Sequence, residues 1–282
     1  MENKNIILNN GVAMPKVGLG VYKMVEESEC IAAVLAALEA GYRHIDTASY
    51  YFNEKAVGKA IKMSGIPREE LFITTKLWVN DTNEALAPKA FKQSLDNLGL
   101  DYLDLYLVHQ PFNDVFGAWR ALEKLYANGD VRAIGVSNFF PDILQNLILF
   151  NNVVPAVNQI ELHPFNQQNQ AHAFHQEQGI VTESWASFAR GRNDMFSNPV
   201  LLEIASQTGK TVGQVILRWL LQRDIAVIPK SVTPSRIQEN ISIFDFSLSD
   251  EQMQLISQLN EDLILFHDER QPEVIRSICS RL

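Results

Sequence analysis

Three observations predict an α/β fold closed into a barrel of eight parallel strands. A unit of apolar strand, loop and amphipathic helix recurs about every 30 residues, eight such strands can be counted, and no Pro/Gly/Ser-rich linker or shift in composition interrupts the run. The strands fall at 17–21, 43–46, 71–76, 103–108, 132–136, 156–160, 180–184 and 225–228. This is the pattern of a (β/α)8 TIM barrel, and residues 1–282 read as a single domain with an N-terminal β-hairpin and an extra C-terminal helix.

In chain order, Asn5 to Val17 reads as the hairpin. Ile6–Leu8 and Met14–Val17 flank Asn9-Asn10-Gly11, where Asn-Gly supplies the positive φ of a tight turn. Helices follow between the strands at about 28–40, 54–63, 84–98, 115–128, 141–149, 168–178 and 211–222. Asn198-Pro199 and Thr233-Pro234 place a capping side chain before a proline at the first helical position. Ser249-Asp-Glu-Gln252 is a capping box opening the extra helix, 250–259. Gly41, Gly99, Gly129 and Gly179 stand where helices should stop.

The composition sets bounds on function. At 282 residues, 46% hydrophobic and 20% charged, the chain can bury a large core. A formal charge of −9 argues against a general nucleic-acid surface or an anionic-membrane surface. The opening Met-Glu-Asn-Lys-Asn-Ile has no long apolar run, so no signal peptide is expected, and no stretch is apolar enough for a membrane helix. Cys30 and Cys279 belong to no motif and suit a reducing cytoplasm better than a disulfide framework. The sequons at Asn80 and Asn240 are then chance matches.

Ionisable side chains gather at strand ends, where a barrel enzyme keeps its chemistry. Asp46 lies just past the run Tyr42–Ile45, and Tyr51 follows five residues later in a polar turn. Lys76 closes Leu-Phe-Ile-Thr-Thr-Lys, and His109 closes Tyr-Leu-Asp-Leu-Tyr-Leu-Val-His. The motifs Gly-Tyr-Arg-His-Ile-Asp-Thr-Ala, Thr-Lys-Leu-Trp, Asp-Leu-Tyr-Leu-Val-His, Gly-Val-Ser-Asn-Phe, Asn-Gln-Ile-Glu-Leu-His-Pro and Ile-Pro-Lys-Ser occur in this order. Together they resemble the aldo-keto reductases over nearly the whole chain, and most of all the shorter bacterial members of diketogluconate- and glyoxal-reductase type.

The resemblance implies reduction of small aldehydes and ketones, α-oxo-aldehydes and sugar-derived carbonyls among them, by hydride transfer from NADPH. Such a reduction needs a proton donor at the oxygen, because a developing alkoxide is costly unless it is protonated or strongly hydrogen-bonded. Tyr51 is the expected acid, with an unperturbed pKa of about 10. Lys76 places an ammonium beside it, Asp46 holds that ammonium, and a neutral His109 orients the carbonyl. These four match the family's catalytic tetrad. Taken singly, each has a plainer reading: surface tyrosine, solvated lysine, structural histidine, capping aspartate.

The nicotinamide cofactor is expected without a dinucleotide-binding βαβ unit. Gly18-Leu-Gly20 lacks the third glycine, and Gly209-Lys210-Thr211 lacks the opening glycine of a phosphate loop. Lys230, Ser231 and Arg236 lie just past the eighth strand at a helix N-terminus, where barrels bind phosphate. By resemblance they grip the 2′-phosphate of NADPH, and Glu239 and Asn240 meet the adenine. Ser137, Asn138 and Gln159 match the residues that hydrogen-bond the nicotinamide carboxamide. Trp185 matches the ring that stacks on the nicotinamide, and Phe188 opens the loop over the pyrophosphate. Three positions depart from the family pattern: Phe52 replaces a glycine, Gln110 an aromatic and Ser187 a proline.

Tyr22, Trp78 and Phe112, aromatic residues in loops at the same barrel end, are expected to line the substrate pocket with His109. Only Gln110 to Asp114 separate His109 from the next helix, where many family members carry a long lid, so an open pocket is expected. His172 and His175, three apart on a helix, read as a polar helix face without a third metal ligand, so no metal is expected. A metal-dependent barrel hydrolase is disfavoured because Lys76 would sit badly beside a cation. The alternative that stays open is a non-catalytic, nucleotide-sensing regulatory subunit on the same fold. As partners the sequence points to a small carbonyl substrate in a cytoplasmic monomer or weak homo-oligomer, with neither nucleic acid nor membrane.

Overall fold

The computed structural model describes residues 4–280. The first three residues of the Met-Glu-Asn-Lys-Asn-Ile opening, and residues 281–282, lie outside that range. Strands β1 (Asn5–Ile7) and β2 (Ala13–Pro15) form the antiparallel hairpin, with Ile6 opposite Met14. Gly11 turns it at φ 85°, a conformation that costs glycine nothing.

Eight strands follow: β3 (Gly18–Gly20), β4 (His44–Asp46), β5 (Phe72–Leu77), β6 (Leu103–Val108), β7 (Val131–Ser137), β8 (Val157–Glu161), β9 (Val181–Trp185) and β10 (Ala226–Val227). Each pairs in parallel with the next in sequence. The ring closes where Val17 bridges Val227 and Val227 N–H donates to Lys16 O at 2.9 Å. That bridge joins the two ends of the eight-stranded sheet into a nearly closed ring.

Around the ring run α1 (Glu27–Glu39), α2 (Glu54–Ser64), α3 (Ala87–Leu98), α4 (Val115–Asn128), α5 (Pro141–Leu149), α6 (Asn169–Glu177), α7 (Pro199–Thr208), α8 (Val212–Gln222) and α9 (Pro234–Ile241), followed by α10 (Asp250–Ser257) and α11 (Pro272–Cys279). The expected glycines do end helices, with Gly99 and Gly129 left-handed at the C-caps of α3 and α4. The capping box of Ser249 forms, and Asn198 Oδ1 accepts from Val200 and Leu201 N–H. Thr233 departs from expectation: its side chain caps nothing, and Ser231 Oγ instead accepts Thr233 N–H at 3.1 Å. Helix α3 begins three residues later than its pattern predicts, because Asn83 Oδ1 accepts Ala85 and Leu86 N–H and holds that stretch as a turn.

Strand alternation separates two apolar layers. Leu105, Leu107, Ala133, Val157, Val181 and Ala226 point into the bore, where Leu8 and Met14 of the hairpin plug its floor. Tyr106, Val108, Ile134 and Val136 face outward onto the helices. Above the plugged floor the bore turns polar, and that is where the site lies.

Candidate active site

The four strand-end residues come together. Asp46 ends β4, and Lys76 lies one layer higher on the adjacent β5. Lys76 Nζ donates to Asp46 Oδ1 at 2.6 Å and to Thr47 O at 2.8 Å, and stands 3.5 Å from Tyr51 Oη. Tyr51 sits in a single helical turn, Ser49–Tyr51, tied down by Tyr51 N–H to Ala48 O and by Ser49 Oγ–H to Lys76 O. His109 N–H donates to Leu77 O at 3.0 Å, and its ring stands edge-on to Tyr51 and Trp78, at 5.7 and 5.0 Å between centroids.

Burial governs the protonation of this group. It pushes the Tyr51 hydroxyl up to about 12, although Lys76 pulls the other way. Burial also works against the Lys76 ammonium, but Asp46, Tyr51 and their hydrogen bonds outweigh it, and the net direction is upward. His109 is driven well below the usual imidazole range by burial and then by Lys76. At neutral pH the set is therefore a protonated tyrosine, an ammonium held by Asp46, and a neutral imidazole.

Gln159 crosses the bore to this group. Its Nε2 donates to Asp46 Oδ2 at 2.9 Å and to Glu183 Oε2 at 2.7 Å. Sequence reasoning passed over Glu183. The signal was available: a carboxyl within Val181–Trp185, two residues before Trp185 and so on its face of the strand. Ser137 Oγ–H donates to Gln159 O, Asn138 Nδ2 to His109 O, and Trp185 Nε1 to Asn138 Oδ1 at 2.8 Å. Asn138 makes these contacts from a left-handed backbone at φ 65°.

From here a trough leads across the barrel mouth. A first cavity of about 100 Å³ is walled by Tyr22, Tyr51, Trp78, His109 and Trp185. A second, about 260 Å³, shares Tyr51, Gln159, Trp185 and Arg190 with it and reaches Phe188 and Lys230. A third, about 500 Å³, continues from Phe188 and Lys230 over Ser231, Arg236, Glu239 and Asn240. Lys230 and Arg236 are exposed, and among the described residues neither has an ion-pair partner. Two cations beside the start of α9, at the end of a trough that begins at Tyr51, suit a phosphate group at one end of an extended ligand. Arg190 roofs the trough, its guanidinium 5.2 Å from the Tyr22 ring and 4.3 Å from that of Phe266.

Other expectations land differently. Tyr22 and Trp78 do face the first cavity, whereas Phe112 packs below the rim with Trp78, Val79 and Ile278. The mouth is less open than the short loop after β6 suggested. Helix α11 lies over it, and Ile278, with His267 and Glu269 of the preceding tail, forms part of the wall. The pattern Pro272, Val274, Ile275, Ile278 was legible as an amphipathic helix. His172 and His175 are not a solvated helix face. Both are buried, and both share a hydrogen bond with Thr182 Oγ1, at 2.8 and 2.9 Å. Lys210 pairs with Asp245 and Thr211 caps α8, so Gly209-Lys210-Thr211 is a helix start. Among the described residues no group of three or more His, Cys, Asp or Glu side chains is placed to hold a metal ion. No helix among them is long and apolar enough to cross a membrane.

Residues 16–261 match the model of the aldo/keto reductase family. The chain belongs to that family and is an oxidoreductase acting on carbonyl compounds. It is 49% identical over 256 residues to the glyoxal reductase of Bacillus subtilis, an alignment covering 90% of this chain and 92% of the relative. It is 48% identical over 265 residues to the methylglyoxal reductase DkgA of Salmonella typhimurium, covering 93% and 95%. Among solved structures it is similar to the Bombyx mori aldo-keto reductase in complex with NADP, with a TM-score of 0.90, 36% identity and coverage of 94% and 95%.

Proposed function

We propose that this chain is an NADPH-dependent reductase of small aldehydes and ketones, α-oxo-aldehydes and sugar-derived carbonyls among them, with Tyr51 as the general acid. The observation that carries the reading is a partly buried tyrosine whose hydroxyl lies 3.5 Å from Lys76 Nζ, which itself donates to Asp46 at 2.6 Å. When bound, the cofactor supplies the hydride from its nicotinamide ring. The residues do the rest. His109, neutral, donates a hydrogen bond to the carbonyl oxygen and aims it at Tyr51. Tyr51 hands over its proton as charge builds on that oxygen, and Lys76 steadies the phenolate left behind. Trp78 and Tyr22 exclude water on the substrate side. Lys230, Ser231 and Arg236 hold the 2′-phosphate, Glu239 and Asn240 the adenine, Phe188 and Arg190 the pyrophosphate, and Trp185, Ser137, Asn138 and Gln159 the nicotinamide.

The reading takes residues 1–282 as one catalytic unit that works in the cytoplasm as a monomer or weak homo-oligomer. Its relatives' names, glyoxal and methylglyoxal reductase, support small α-oxo-aldehydes as the first substrates to try. The test is NADPH oxidation with methylglyoxal and a panel of aldehydes, wild type against Tyr51→Phe. Turnover should fall by at least about 10³-fold in the variant while NADPH still binds. If both proteins bind NADPH and neither turns over any carbonyl, the nucleotide-sensing alternative takes its place.

A further inference from the structure

We infer that Glu183 is a positioning residue that locks the side-chain amide of Gln159 with its nitrogen toward the bore and its oxygen toward the trough. The inference rests on the reading above that Gln159 meets the cofactor's carboxamide, and it names the residue that decides which half of the amide is offered. Gln159 and Glu183 are register partners on β8 and β9, so their side chains leave the sheet on the same face. Asp46 stands on β4, four strands further round the ring. The two N–H bonds of Gln159 Nε2 are both taken, one by each carboxyl. With the amide reversed, its oxygen would face Asp46 Oδ2 and lose that contact, and Glu183 could keep the other only by carrying its proton on Oε2 instead of Oε1.

Glu183 has no other hydrogen-bonding task. Its side chain is completely buried, its Oε1 has no hydrogen-bond partner, and the nearest basic group to it is His44 Nδ1 at 3.9 Å. Burial holds that histidine down to about 4, so it is neutral and forms no ion pair with Glu183. A buried carboxyl with a single hydrogen bond is costly and calls for a reason, and among the described residues the group it hydrogen-bonds is Gln159. Asp46 supplies only one of the two acceptors, since its other oxygen is engaged by Lys76, and without Glu183 the second N–H of the buried amide would be left unpaired. Burial, then the charge of Asp46, pushes Glu183 up to about 8. At neutral pH its proton can sit on Oε1 while Oε2 accepts, so two carboxyls share one amide without facing each other as charges.

The consequence is that Gln159 presents only an acceptor to the trough, and therefore selects the –NH2 end of the carboxamide. Dissociation constants for NADPH and for 2′-phospho-ADP-ribose, which lacks the nicotinamide, test this. They would be read by tryptophan fluorescence in the wild type, Glu183→Met, Glu183→Gln, Gln159→Met and the Gln159→Met/Glu183→Met double variant. Glu183→Met should weaken NADPH about tenfold, the worth of one hydrogen bond to the cofactor, and leave 2′-phospho-ADP-ribose unchanged. Glu183→Gln keeps an acceptor oxygen and should stay within about twofold of wild type. The double variant should be no weaker than Gln159→Met, because Glu183 acts only through Gln159.

Equal weakening of both ligands, or a Glu183→Gln protein as weak as Gln159→Met, overturns the inference. The Glu183→Gln result decides it even if Glu183→Met does not fold. Unchanged NADPH affinity in Gln159→Met removes the assignment of Gln159 itself, a separate failure from loss of the lock.

Discussion

Desolvation favours the protonated Tyr51 hydroxyl, and the proposed role of Tyr51 as acid draws on the opposite pull of Lys76. These are opposite pressures on one hydroxyl, and the structure holds both at once. Among the groups that keep Lys76 charged Asp46, 2.6 Å away, comes first, and removing one member of such a buried pair leaves the other uncompensated. At the far end of the trough the logic is simpler. Arg236 is exposed, and among the described residues it has no ion-pair partner. Arg236→Ala should therefore raise KM for NADPH at least about tenfold while KM for NADH changes less than about twofold, since only the former carries the 2′-phosphate. Comparative steady-state kinetics with the two cofactors checks it, and equal losses would remove the phosphate assignment. Phe52 shows a different kind of residue-level cost: a bulky, 80% exposed side chain at φ 57°, a backbone region glycine enters freely.

Among the elements, the C-terminal helix α11 changes the reading of the mouth most. It carries none of Asp46, Tyr51, Lys76 and His109, yet its Ile278, 1% exposed, seats against Trp78, Val79 and Phe112 beside the short loop after β6. Ile278→Ala should cost about 2–3 kcal/mol locally, enough to undock the tail without unfolding the barrel. The expected results are faster proteolytic cleavage within residues 262–271, a raised KM for small carbonyls and an unchanged KM for NADPH. Cleavage and KM values that match the wild type would show that α11 is not the wall of the substrate pocket. The hairpin β1–β2 does the opposite service at the other end, where Leu8 and Met14 close the bore and keep its chemistry at one mouth.

At the scale of the whole molecule, the chain keeps several titratable groups in uncharged form. Glu269, buried in the tail against the first cavity, is pushed up to about 8, mainly by burial and further by Glu161. Its folded value lies above its unfolded one, so its contribution to stability is complete below about pH 4.5 and is lost as pH rises through about 8. Glu269→Gln should leave the melting temperature unchanged near pH 5 and raise it by several degrees at pH 8.5, an effect on the order of 3 kcal/mol. Melting curves at the two pH values decide it, and a gain of equal size at both would mean that packing, not ionisation, is responsible. His44 and His175, held down to about 4 and about 3 chiefly by burial, act in the acid direction, where protons taken up by the unfolded chain below about pH 6.5 destabilise the fold.

The alternation of strand and helix, the glycines that stop helices and the strand-end residues Asp46, Lys76 and His109 were legible in sequence, because each is a local pattern or a fixed position relative to one. So were Tyr51 and the cationic start of α9, which need only the neighbouring strand to place them. Glu183, Glu269 and Ile278 were not assigned to the site from sequence, and His172 with His175 was misjudged. Periodicity says that a side chain faces inward, but only closure of the ring tells what stands across the bore, and only docking of the tail tells what it covers. Gln159 shows the divide: its place on a strand is written in the sequence, while its two carboxyl partners, one on the next strand and one four strands round the ring, meet only when β3 and β10 close the barrel.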